Sequence, residues 1–159
     1  LYIGALWGEW FDWELLLEIC AAYPGAAVVV IGEYHGQVKD PPENLHFLGL
    51  KAQTRLPAYL QAADTALIPW KVTSLTQAVS PLKMYESLAM HVPVVAPSLE
   101  PLQGVPGVWL AEDRREFLRL LGAVAQADFP VEEVEAFLQE NNWQTRVGKL
   151  LAYAEAQRS

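Results

Sequence analysis

The chain has 159 residues, 52% of them apolar and 19% charged, which suits one domain with a full hydrophobic core. A formal net charge of −8, with no Lys or Arg before Lys39, excludes a nucleic-acid surface, because neutralising phosphates takes clustered cations. No apolar run approaches the ~20 residues of a membrane span, LLLEIC being short and broken by Glu18, and no signal peptide stands at the start.

The first strand-like run covers residues 1–6 and begins Leu-Tyr-Ile without methionine, as in a fragment whose preceding half is missing. Helical spacing follows over 10–23 and stops at the breaker pair Pro24-Gly25. Cys20, the single cysteine, falls in this helix; with no disulfide partner it suits a reducing cytoplasm. Strands are expected at 27–32 and 45–48, a helix at 53–63, and a strand at 65–69. A long loop rich in hydroxyls and amides, residues 70–80, leads to a helix at 81–90 and strands at 93–96 and 108–110. Helices at 113–127, 131–140 and about 143–156 finish the chain.

Strands that are apolar throughout, such as AAVVVIG, belong in parallel sheets covered on both faces. Alternation of strands and helices predicts a Rossmann-like, doubly wound α/β domain over 1–159, six parallel strands in the order 3-2-1-4-5-6. Such a sheet takes its ligand at the carboxyl ends of strands one and four, where the winding reverses. The 70–80 loop lies there.

The helix after that loop carries the chemistry. Ser80 reads as its N-cap and Pro81 as its first residue. Lys83 in the first turn opposes the helix dipole unless an anion sits at the tip. Helical side chains lean toward the N-terminus, so Glu86 reaches back toward the same place. A carboxylate offers two acceptor oxygens, a match for two neighbouring hydroxyls such as those of a ribose. The alternative is a plain surface pair between Lys83 and Glu86, worth ~0.2–0.5 kcal/mol.

The segment PLKMYESLAMHVPVVAP resembles the nucleotide-sugar-binding half of GT-B glycosyltransferases, particularly family 4, also called group 1. Members read Glu-Leu/Tyr-Leu-Ala-x-Gly-x-Pro-Val-Val-Ala at this place. YIGAL, WFDWELL, VVVIG, ENLHFLGL, LPAYLQAADTALIPW and the closing NNWQTRVGKLL agree in order. The resemblance implies a two-domain cytoplasmic enzyme that moves a sugar from a nucleotide diphosphate to an acceptor, with only the donor-binding half present. Acceptors of that kind are cell-envelope glycans or lipids, which implies a place at the inner membrane face. No metal or other cofactor is implied.

By the same resemblance Glu86 is the second glutamate of an E-x7-E pattern and binds the ribose. Val79, Ser80 and Leu82 face the diphosphate or sugar. Gly49 and Leu50 lie against the base with Gly32 nearby, and Gly4 approaches the phosphates. The chain departs from the pattern at Ala78, where the first glutamate belongs, and at His91, where glycine is preferred. It also lacks the basic residues expected between Ala5 and Trp13. Lys83 and Lys71 are then the candidates for the missing positive charge, and Thr76 or Gln77 for the sugar hydroxyls. Trp7 and Trp10 are candidates to meet the acceptor or the other domain.

Two other readings stand beside the transferase. One is a degenerate half retained as a binding scaffold; the other is a sugar-nucleotide epimerase on the same two-domain plan. The three histidines show no metal-ligand spacing, and no Gly-x-Gly-x-x-Gly or Walker loop is present. An NAD enzyme is not expected.

Overall fold

The structure, a computed structural model, describes residues 1–6 and 8–157, so Trp7 lies outside the described residues. Its strands are β1 (Tyr2–Ile3), β2 (Val28–Ile31), β3 (Leu45–Phe47), β4 (Ala66–Leu67), β5 (Val94–Pro97) and β6 (Val108–Ala111). Its helices are α1 (Trp13–Ala22), α2 (Leu56–Gln61), α3 (Leu82–Ala89), α4 (Arg114–Val124), α5 (Val131–Asn141) and α6 (Trp143–Ala156). Each falls on a segment whose hydrophobic period called for it.

The strands pair in parallel as two three-stranded sheets, β1-β2-β3 and β4-β5-β6. Tyr2 stands opposite Val30, Val28 opposite Leu45, Ala66 opposite Val94 and Val95 opposite Trp109. The single six-stranded sheet expected from the sequence is thus found in two parts. Among the described residues the backbone bonds between β1 and β4 converge on Leu1, just before β1: Leu1 N donates to Thr65 O and Leu67 N to Leu1 O, each at 2.8 Å. Beyond Leu1 a cavity parts the two strands, and no ladder forms among the described residues.

Successive side chains of a strand point to opposite faces, and here each face meets its own core. Tyr2, Val30, Leu67 and Val95 join the core built on Leu16 and Ile19 of α1 and Phe117 of α4. Ile3, Ile31, Ala66 and Val94 join the other, with Leu60 of α2, Met84 and Leu88 of α3 and Val134 of α5. Both cores draw on both sheets. Cys20 is buried, which pushes its thiol pKa up and leaves it packed as a small apolar side chain.

Three local departures from the sequence reading have physical causes. α1 begins at Trp13, not residue 10, because the Asp12 carboxylate accepts from Leu15 N at 3.0 Å and caps it. Residues 10–12 are drawn to the end of β4: Asp12 N donates to Pro69 O at 2.8 Å, and Lys71 N to Trp10 O at 2.7 Å. The 53–63 helix splits into a 3-10 turn, Gln53–Arg55, and α2, because Pro57 has no N–H to continue an α-helical ladder back to Gln53. His91, where the family prefers glycine, takes φ +55°, the left-handed region that glycine enters without strain.

Candidate functional site

A cavity of about 350 Å³ lies between β1 and β4 and reaches the start of α3. Buried Ile3, Ile68, Met84 and Val94 give it apolar walls. Gly4, Trp10 and Trp70 line it together with residues 79–83 and Glu86. Apolar walls with a few converging polar groups are the usual make-up of a small-molecule site.

The start of α3 differs from the expected one. Ser80 is not its N-cap: Pro81 takes that place with φ −72° and ψ 112°, and no side chain caps the helix. Pro81 is itself extended, so the helix begins one residue later and Ser80 falls outside the cap position. Ser80 is exposed on the cavity wall, with Val79 before it and Leu82 after it. Pro81, Leu82 and Lys83, the uncapped first turn, all border the cavity.

Glu86 sits one turn further in. Lys83 Nζ donates to both its oxygens, at 2.9 Å to Oε1 and 2.8 Å to Oε2. The pair is therefore formed, as the surface alternative required, yet both partners line the cavity and each side chain is only about a third exposed. Both carboxylate oxygens thus accept from one ammonium group at the cavity's edge.

The other expected site residues divide. Gly4 lines the cavity, and Gly32 packs against it so closely that a Cβ there would lie 2.1 Å from Gly4 O. Gly32 N donates to Gly49 O at 3.3 Å, and Gly49 takes φ +66°. The three glycines thus run along the carboxyl edge of β1, β2 and β3, with Leu50 beyond them and 72% exposed. Lys71 is not brought to this cavity. It lines an adjoining one of about 240 Å³ together with Asp12 and Arg114.

Thr76 and Gln77 serve the loop that carries them. Thr76 is buried; its hydroxyl donates to Lys71 O at 2.7 Å and accepts from Thr73 N at 2.8 Å. Gln77 spans to the turn after β5, Nε2 donating to Ser98 O at 3.3 Å and Oε1 accepting from Glu100 N at 2.7 Å. Neither side chain lines the cavity. Both hold the 70–80 loop in the shape that presents residues 79–83.

Trp70 was missed by the sequence reading and borders both cavities. Its ring meets that of Trp10 edge to face, centroids 5.1 Å apart. Its indole N–H is buried and completes no hydrogen bond, although it lies against the Tyr2 hydroxyl. Tyr2 donates instead to Ala5 O at 2.8 Å, and burial pushes its phenol up to about 12, the Trp70 N–H acting the other way. The available signal was position: Trp70 ends ALIPW just past the fourth strand, where a doubly wound sheet takes its ligand.

At the second cavity, Arg114 gathers three carboxylates. It donates to Asp12 at 3.0 Å, Glu14 at 2.9 Å and Glu18 at 2.8 Å, tying the start of α4 to α1. Glu14 first, then Asp12 and Glu18, hold its pKa above even the usual guanidinium range. Among the described residues no group of three or more His, Cys, Asp or Glu side chains forms a metal site, and no helix is long and apolar enough to cross a membrane.

A comparison with curated proteins gives no match. The family described as Glycosyl transferases group 1 matches residues 1–127, which takes in every strand, both cavities and α1 to α4 and leaves α5 and α6 beyond the match. The chain belongs to the group 1 glycosyl transferases.

Proposed function

We propose that this chain is the donor-binding half of a glycosyltransferase, holding a nucleotide-diphospho-sugar while a hexosyl group passes to a cell-envelope glycan or lipid. One observation carries the reading. The cavity between β1 and β4 is bordered at one place by an uncapped helix start, a first-turn lysine and a carboxylate. The diphosphate belongs at the first turn of α3, where N–H groups and Lys83 stabilise the charge growing on the leaving group. The ribose belongs on Glu86. The base lies along the Gly32 and Gly49 edge, which leads away from Gly4.

In this reading β1-β2-β3 and β4-β5-β6 act as one plane in the order 3-2-1-4-5-6, supported by the two bonds at Leu1 and by cores shared between the sheets. The ligand enters where that plane opens. A second, acceptor-binding domain supplies the groups that activate the acceptor, so residues 1–159 alone bind nucleotide weakly and transfer nothing. The full enzyme works in the cytoplasm or against the inner membrane face and takes no metal.

Titrating the protein with UDP-, GDP- and ADP-sugars tests this. One of the three binds, and Glu86→Ala weakens it about tenfold or more, the worth of hydrogen bonds to a charged group. Binding of none favours the scaffold reading, to which Ala78 and the absence of basic residues from Ala5 to Trp13 lend support.

A further inference from the structure

Resting on the nucleotide reading above, we infer that the sugar this site accepts is a hydroxyl-poor one, a deoxyhexose. In a nucleotide sugar the ribose is joined to the proximal phosphate and the sugar to the distal one. With the ribose on Glu86 and the diphosphate at the first turn of α3, the sugar meets the residues that lead into that turn. These are a 3-10 turn, Thr76–Ala78, and then Val79 and Ser80 on the cavity wall.

The turn has few groups left for a hydroxyl, because it spends them on itself. Thr76 N donates to Thr73 Oγ1 at 3.2 Å and Gln77 N to Thr73 O at 3.0 Å. Ala78 N donates to Leu75 O at 3.1 Å and Val79 N to Thr76 O at 3.5 Å. The Thr76 hydroxyl and both ends of the Gln77 amide are committed to the protein as well. Ala78 has no polar side chain, and Val79 and Leu82 stand exposed beside the cavity.

The polar side chains of the cavity wall are occupied in the same manner. Tyr2 Oη donates to Ala5 O and Ser87 Oγ to Lys83 O, each at 2.8 Å. Lys83 and Glu86 serve the diphosphate and the ribose. Trp10 and Trp70 bring apolar rings whose N–H groups donate but accept nothing. Ser80 remains, with no side-chain hydrogen bond among the described residues.

A hexose carries several hydroxyls, each both donor and acceptor. One pressed against this wall loses water and gains no side chain or N–H in return, whereas a methyl or methylene there is favoured by burial. The difference is about tenfold in affinity for each hydroxyl so placed.

The test is calorimetric titration of the chain with the UDP, GDP and ADP forms of glucose and of its 3-, 4- and 6-deoxy counterparts. For the base that binds, at least one deoxy form binds about tenfold more tightly than glucose. If every deoxy form binds as glucose does, or more weakly, the inference fails while the nucleotide reading stands. If no form with any base binds, the nucleotide reading fails and the inference with it. Val79→Thr provides a second arm, since it adds one hydroxyl to the wall at a half-exposed position with little change of shape. It tightens the glucose form and narrows the preference by about threefold. A preference unchanged in Val79→Thr also counts against the inference.

Discussion

The starts of α4 and α3 follow strands of the same sheet, yet one is closed and the other open. At α4 the Asp113 carboxylate accepts from Glu116 N at 2.8 Å, while Glu116 Oε2 accepts from Glu112 N at 3.0 Å. The first bond satisfies an orphan donor of the helix, and the second ties the residue before the cap to the first turn, a close relative of the capping box. α1 is closed by Asp12, whose carboxylate accepts from Leu15 N. At α3 proline stands at the cap, no side chain reaches the first turn, and Lys83 occupies it without any acidic residue. α5 also lacks a side-chain cap, but Glu132 and Glu133 suit its dipole. Only at α3, among these helices, does an open first turn coincide with an unfavourable charge and a cavity.

That contrast breaks first at α1. Asp12→Ala removes a buried cap and one of the three carboxylates on Arg114, and should cost about 2 kcal/mol of unfolding free energy in urea. Asp12→Asn keeps the cap and should cost less. An unchanged stability for Asp12→Ala would show that the closed starts are not what holds the scaffold together. Asp113→Ala comes next, at about 1 kcal/mol, with no effect on nucleotide binding.

Acid sharpens the same point. The backbone bond from Glu112 first, and Arg119 second, hold the Glu116 pKa below its ordinary 4.5. The folded-state value is the lower one, so the capping box contributes fully above pH 4.5 and is lost as the pH falls through that lowered value. Stability curves of wild type and Glu116→Gln should therefore converge between about pH 6 and about pH 3. Parallel curves would contradict it. The smallest effect belongs to α3: Ser80→Ala removes no cap and should change stability by less than about 0.5 kcal/mol. A loss near 1 kcal/mol would restore Ser80 as the cap.

Much of the site lay within reach of sequence reasoning because its parts are local. Lys83 and Glu86 are three residues apart on one helix, and that spacing alone makes them neighbours. Gly4, Val79, Ser80 and Leu82 reach the same cavity, which lies between β1 and β4 and extends to the start of α3. Lys71, Thr76 and Gln77 were less legible. A hydroxyl or amide in a polar loop serves the loop or a ligand equally well until its partners are known, and the partners of Gln77 lie more than twenty residues away.

The sequence by itself determined the six strands and six α-helices, though not the 3-10 turns, since hydrophobic period is a local property that each segment carries whole. It fixed α6 at 143–156 and placed each strand to within a few residues. Tertiary structure alone decided that β1 and β4, among the described residues, are bonded through Leu1, that Trp70 borders two cavities, and that Arg114 binds α4 to α1. Those outcomes depend on which surfaces compete for the same space, and no short window of residues contains that information.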